Sequence, residues 1–203
     1  YFSPLEDDRL AALELSGRLH LIDLRSGESV KCEELPESAL KYRAEMHVIA
    51  DNDRAYLLVN QSRRRSYFSS SGGVPTMNVN GMIYAFDLDS GRKLWEQKVL
   101  NQQLVREQFT HSPVLLFSSR QYERQGNLTT WATSLVALDK VTGRELINTK
   151  LSSQYSGGIQ SLKLNLAERV IEFTSYNQRV RLVAKDREGG APDEAPEQAA
   201  LVR

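Results

Sequence analysis

Three aspartates, Asp23, Asp87 and Asp139, recur in one setting: a short apolar run before each, then two variable residues, Ser or Thr, and Gly. A recurring carboxylate can serve a metal, a general base or a turn. Equivalent positions in successive repeats are held apart by the repeats themselves, whereas ligands of one ion must converge within a few ångström. The three are therefore read as turn-makers, accepting hydrogen bonds from the backbone N–H groups just beyond them. Gly27, Gly91 and Gly143 then supply the positive φ that closes each turn. The histidines, His20, His47 and His111, show no pairing at metal-ligand spacing. No Gly-x-Ser-x-Gly elbow offers an anchor for a hydrolytic triad. Each His is read as a strand residue with a local hydrogen bond. Cys32 is the sole cysteine, so no internal disulfide and no multi-cysteine metal site can form. No catalytic, cofactor-binding or metal-binding residue is assigned.

A second chemistry lies in arginines mixed with aromatics. The segment 60–80 carries Arg63, Arg64 and Arg65, then Tyr67 and Phe68, then a Ser/Gly run. The segment 119–133 carries Arg120, Tyr122, Arg124 and Trp131. Arg, Tyr and Trp are enriched at the energetic centres of protein interfaces. Arginines over aromatic rings also suit acidic polymers or nucleotides. The competing reading is a solvated loop with scattered charge. No global field supports nucleic acid or anionic membrane as partner, because 26 basic residues balance 26 acidic ones. The apolar runs fall far short of the ~20 residues of a membrane-spanning helix. Asn60-Gln61-Ser62 and Asn127-Leu128-Thr129 match the short glycosylation sequon.

The elements that must position these residues are repeated hairpins. The runs 17–27, 81–91 and 133–143 align, each a strand apolar on both faces ending in the Asp turn. A second strand leaves each turn, at 28–32, 92–99 and 144–151. Further strand–turn–strand units precede them: 46–50 with 55–59, and 109–113 with 114–118. Four strands per repeat follow, with 60–80 and 119–133 as loops between the second and third strands, emerging on one side. The turn glycines are 64 and 52 residues apart, longer than the ~40–50 of propeller blades, and the excess sits in those loops. Three more strands are expected at 161–166, 170–174 and 180–185. Leu40, Tyr42 and Met46 make no stripe for a helix through 37–45, so only a short helical turn after Pro36 is expected. Residues 188–203, rich in Gly, Ala, Pro and Glu, are expected to be disordered, which leaves 1–187 as one domain. The fold class is all-β: a β-propeller of four-stranded antiparallel blades, about three and a half of them. A ring needs ~4–8 blades, and the chain starts at Tyr1 rather than Met, so a fragment with blades missing upstream is expected.

Ala85-x-Asp87-x-x-Ser90-Gly91-x-x-x-Trp95 resembles the repeat of the PQQ-like (quinoprotein alcohol dehydrogenase-like) propellers. Ala137, Asp139, Thr142 and Gly143 match it too, with Ile147 in place of the Trp. The first copy has Leu21 for the Ala and Lys31 for the Trp. By this resemblance Trp95 braces one blade against the next. The fold hosts many unrelated roles. The dehydrogenases of the family hold PQQ beside Ca²⁺ with carboxylate and amide ligands, and often a pair of adjacent cysteines. This chain has no adjacent cysteines and no Asp-Glu-Asn cluster. The resemblance therefore implies a scaffold without the quinone, binding a protein or other macromolecule, bacterial and extracytoplasmic. Its alternatives are part of a PQQ- and calcium-dependent dehydrogenase, or a sensor propeller attached to a signalling module.

Overall fold

The computed structural model describes residues 1–5, 8–41, 43–61, 74–107, 109–125, 128–153, 159–165, 167–168, 170–175 and 178–183. The chain forms two compact units. One holds Tyr1–Arg65, Asn78–Gln102 and Val141–Gly143; the other holds Ser66–Met77, Gln103–Lys140 and Arg144–Arg203.

In the first unit β1 (Phe2–Pro4), β2 (Arg9–Leu13), β3 (Leu19–Asp23) and β4 (Ser29–Lys31) make an antiparallel sheet in chain order. A one-turn helix α1 (Glu37–Lys41) follows Pro36, as expected, and buries Leu40. Next come β5 (Glu45–Ala50), β6 (Arg54–Asn60), β7 (Thr76–Asp87) and β8 (Lys93–Val105), again in hydrogen-bonded chain order. The side-chain period of two sorts the apolar residues by face. Ala11 pairs with Leu21 and Leu13 with Leu19, so these four share a face of the first sheet. On the second sheet Leu57 pairs with Val48 and Tyr84, and Ala55 with Phe86. These residues, with Cys32, Leu35, Leu40, Val59 and Leu88, form one buried core.

In the second unit the last residues of β8 pair with β9 (Val114–Gln125), at Gln103↔Ser118 and Leu104↔Phe117. β9 pairs with β10 (Leu128–Asp139), and β10 with β11 (Glu145–Ser153). A separate sheet holds β12 (Ile159–Asn165), β13 (Val170–Ser175) and β14 (Gln178–Val183), within one or two residues of the expected strands at both ends. Leu116, Leu135 and Ala137 pack with Leu162, Ile171, Phe173, Val180 and Leu182 in the core of this unit. Among the described residues no helix is long and apolar enough to cross a membrane.

Three expectations are corrected, the first that 60–80 is a loop to its end: β7 begins at Thr76. Residues 109–113 form a turn rather than a strand; Pro113 has no N–H to give to a ladder, and β9 finds its partner in the end of β8. Residues 119–133 are not a loop: β9 runs on to Gln125 and β10 begins at Leu128. Tyr122, Thr129, Thr130, Trp131 and Thr133 are residues that fit a pleated surface, and an unbroken twelve-position register carries the ladder outward.

Candidate functional site

Asp23 and Asp87 do what their spacing predicts. Asp23 Oδ1 accepts from the N–H groups of Arg25 (2.8 Å) and Ser26 (2.9 Å). Asp87 Oδ1 accepts from Ser90 N (2.8 Å) and Ser90 Oγ (2.7 Å). The N–H of Gly27 donates to Asp23 O, and that of Gly91 to Asp87 O. The amides of Asp23, Asp87 and Asp139 each donate across the hairpin, to Glu28, Arg92 and Arg144. All three turn glycines have φ between 70° and 75°. At Asp23 and Asp87 the side-chain hydrogen bonds favour the charged carboxylate and hold it below its usual range. At Asp23 the bonds from the Ser26 and Arg25 amides lead; at Asp87 the Ser90 side chain and amide lead. Among the described residues no three His, Cys, Asp or Glu side chains gather as a metal site. The carboxylates of Asp23 and Asp87 are engaged within their own turns.

Two of the histidines are also locally engaged. His20 Nε2 contacts Glu14 Oε1 at 2.5 Å, and His47 Nε2 lies 3.3 Å from Glu45 Oε1. His111 sits exposed in the 109–113 turn. The Cys32 thiol is 3% exposed and pushed up to about 12, by burial first and then by the charge of Glu33, which makes it a poor nucleophile. Trp95 is 8% exposed, with the Tyr56 ring 5.9 Å away. A Cβ placed on Gly143 would fall 2.5 Å from Trp95 Cδ2, so the turn glycine lies flat on the indole.

The predicted Arg/aromatic surface divides in two. Arg63, Arg64, Arg65, Tyr67 and Phe68 lie outside the described residues. Arg120, Tyr122 and Arg124 occupy alternate positions of β9, and Trp131 is the register partner of Tyr122. Alternate and directly opposed residues share a face. The backbone thus brings all four to one face of a single hairpin, on the row that begins at buried Leu116 and Leu135.

Sequence reasoning missed a polar clasp between the end of β6, β7 and β8. Asn60, 2% exposed, donates from Nδ2 to Asn78 O (3.0 Å) and accepts from Asn80 N at Oδ1 (2.7 Å). Asn80 Oδ1 in turn accepts from Asn101 N at 3.2 Å. Gly81 faces it so closely that a Cβ would fall on the carbonyl of Val59. A buried amide used at both ends is no glycan acceptor, so the sequon at Asn60 is a positioning device. Asn127 lies outside the described residues. Buried Lys140 also escaped notice: its Nζ donates to Phe109 O and stands 3.9 Å over the Phe109 ring. The stretch Asn78-Val79-Asn80-Gly81 was the visible signal for the clasp; for Lys140 there was none.

Antiparallel sheets in chain order, with the same Asp turn joining β3 to β4, β7 to β8 and β10 to β11, define the class: β-propeller repeats of the PQQ-like type. The model of one such family, described as outer membrane protein assembly factor BamB, matches residues 79–193. The chain belongs to that family. None of the curated proteins matches it. Among solved structures it is similar to a europium-containing methanol dehydrogenase, at 12% identity and a TM-score of 0.38, over 78% of this chain. The present chain spans 26% of that enzyme, and likeness at this level says nothing of activity.

Proposed function

We propose that the chain is a non-catalytic propeller scaffold that binds a protein partner outside the cytoplasm of a bacterium, through an Arg/aromatic surface. One observation carries this reading. β9 and β10 bring Arg120, Tyr122, Arg124 and Trp131, the residue types of interface hot spots, to one hairpin face. The Asn60 clasp would hold the base of the segment carrying Arg63, Arg64, Arg65, Tyr67 and Phe68. The family description, an outer membrane protein assembly factor, makes a component of outer-membrane protein assembly the fitting partner.

The test uses the natural full-length protein and a partner first identified by in-cell crosslinking. Replacing Tyr122 with Ala and Arg120 and Arg124 with Ser should weaken binding at least about tenfold, with unchanged circular dichroism. Arg63, Arg64 and Arg65→Ser should act in the same direction. Unchanged affinity in both variants sinks the surface. A calorimetric titration of the same protein with PQQ and Ca²⁺ addresses the dehydrogenase alternative: saturable micromolar or tighter binding replaces the scaffold reading.

A further inference from the structure

Gly91 and Gly143 rest on equivalent residues of the repeat before their own. Lys31 and Trp95 each stand four residues beyond a turn glycine. A Cβ on Gly91 would fall on the carbonyl of Lys31, and one on Gly143 on the ring of Trp95. Each of these residues is the seat of a joint. At the Gly91 joint the seat carries an ammonium in place of an indole, and an open cleft of about 380 Å³ lies there. Its polar lining is Arg18, Lys31, Glu33, Glu34, Ser90 and Arg92.

Local hydrogen bonds decide which of these groups a ligand can use. Glu34 Oε2 accepts from Arg18 Nη2 at 2.9 Å. Glu33 Oε1 accepts from Lys93 N at 3.0 Å. The Ser90 hydroxyl donates to Asp87 Oδ1 at 2.7 Å. Two cations remain. Lys31 and Arg92 are exposed, and among the described residues neither side chain has a hydrogen bond or an ion pair. Three cations against two carboxylates leave the lining one charge positive. The two cations come from different repeats, yet the joint fixes one near the other. Glu33 N donates to Gly91 O at 3.0 Å, between the strand end that carries Lys31 and the turn that leads into Arg92. Lys31 is itself held in the ladder opposite His20.

We propose that this cleft binds a small phosphate monoester, with Arg92 pairing the phosphate and Lys31 matching its second charge. The guanidinium offers a planar fork for two phosphate oxygens, and the ammonium adds a point charge. Two uncommitted cations match a dianion better than a single carboxylate, and a phosphate monoester carries close to two charges at neutral pH. The cleft has room beyond the phosphate itself, and the paired Arg18 and Glu34 give that room a polar wall. The ester's body is therefore small and polar, of the glycerol or sugar kind, rather than an alkyl chain. Glycerol phosphate meets these demands both as a free molecule and as the headgroup of a lipid.

Calorimetric titration of the natural full-length protein with glycerol phosphate tests it, at low ionic strength where exposed cations are least screened. Binding should saturate with a Kd of about 1 mM or tighter. Replacing both Lys31 and Arg92 with Gln should raise that Kd at least about tenfold and leave the urea midpoint unchanged. Lys98→Gln removes an exposed cation outside the cleft and should leave the Kd unchanged. The absence of saturable binding to the parent overturns the proposal. So does an unchanged Kd in the double variant, or an equal loss in Lys98→Gln, which would mark a diffuse effect of charge. Vesicles of phosphatidylcholine containing phosphatidic acid separate the two sources of the phosphate. Cosedimentation that the double variant loses assigns the cleft to a lipid headgroup; binding of the soluble ester alone assigns it to a free one.

Discussion

Gly91 and Gly143 occupy the same place in successive repeats and rest on different materials. Beneath Gly91 lies main chain, the carbonyl of Lys31. Two hydrogen bonds tie that joint: Glu33 N to Gly91 O at 3.0 Å, and Lys93 N to Glu33 Oε1 at 3.0 Å. Beneath Gly143 lies the indole of Trp95, backed by Tyr56. The first joint carries directional polar bonds, and the second rests its glycine on an aromatic ring. What the two share is the absence of a Cβ at the turn. The family signature has Trp at the seat, yet Lys31 serves, because only close approach of a flat surface is demanded. The cost of the exchange is stability, since the Lys31 joint buries no large ring.

The largest effect that would break this comparison is at Trp95. Trp95→Ala should cost about 3–5 kcal/mol, read as a fall in the urea midpoint; a melting temperature within a degree of the parent would contradict it. Substitutions at the glycines sharpen the comparison. Gly91→Ala and Gly143→Ala each force a left-handed φ and a clash, and should cost about 2–4 kcal/mol. Their couplings should differ. In a Trp95→Ala background the cost at Gly143 should shrink toward that of φ alone, while the cost at Gly91 should persist. A double-mutant cycle showing equal coupling of both glycines to Trp95 would erase the distinction.

The smallest effect is at the turns. The folded state lowers the pKa of Asp23 and Asp87, so their contribution is present above the unfolded carboxylate value of roughly 4. It is lost as pH falls through the folded value. Stability should therefore decline on acidification below that point. Asp87→Asn, which keeps an oxygen acceptor without the titration, should show a shallower decline. Urea unfolding at neutral and acid pH reads both, and an identical slope would remove Asp87 from the account.

Turns were legible in sequence because their causes are local. A carboxylate three residues before Ser90 N and a glycine at positive φ make the same structure wherever they occur, and Asp87 through Gly91 carry both. Strand ends were not legible. Residues 100–105 look too polar for a strand, yet β8 continues through them, with Asn101 at φ 53° and Leu104 and Val105 buried. Residues 109–113 look strand-like and form a turn. The extension of β9 and β10 was hidden because Arg120, Gln121 and Glu123 read as loop by polarity. Their pairing depends on a partner strand that local propensity does not identify.

By itself the sequence determined the repeat, its Asp-turn chemistry, the all-β class and the pairing of arginines with aromatics, since each follows from residue type at short spacing. Only the tertiary structure decided which face each residue joins. It set Arg120, Tyr122, Arg124 and Trp131 in one strand register, turned Asn60 from a sequon into a clasp, seated Gly143 on Trp95 and left Gly27 without a seat. Those outcomes rest on register and on contacts between strands far apart in the chain, where a shift of one residue reverses every face.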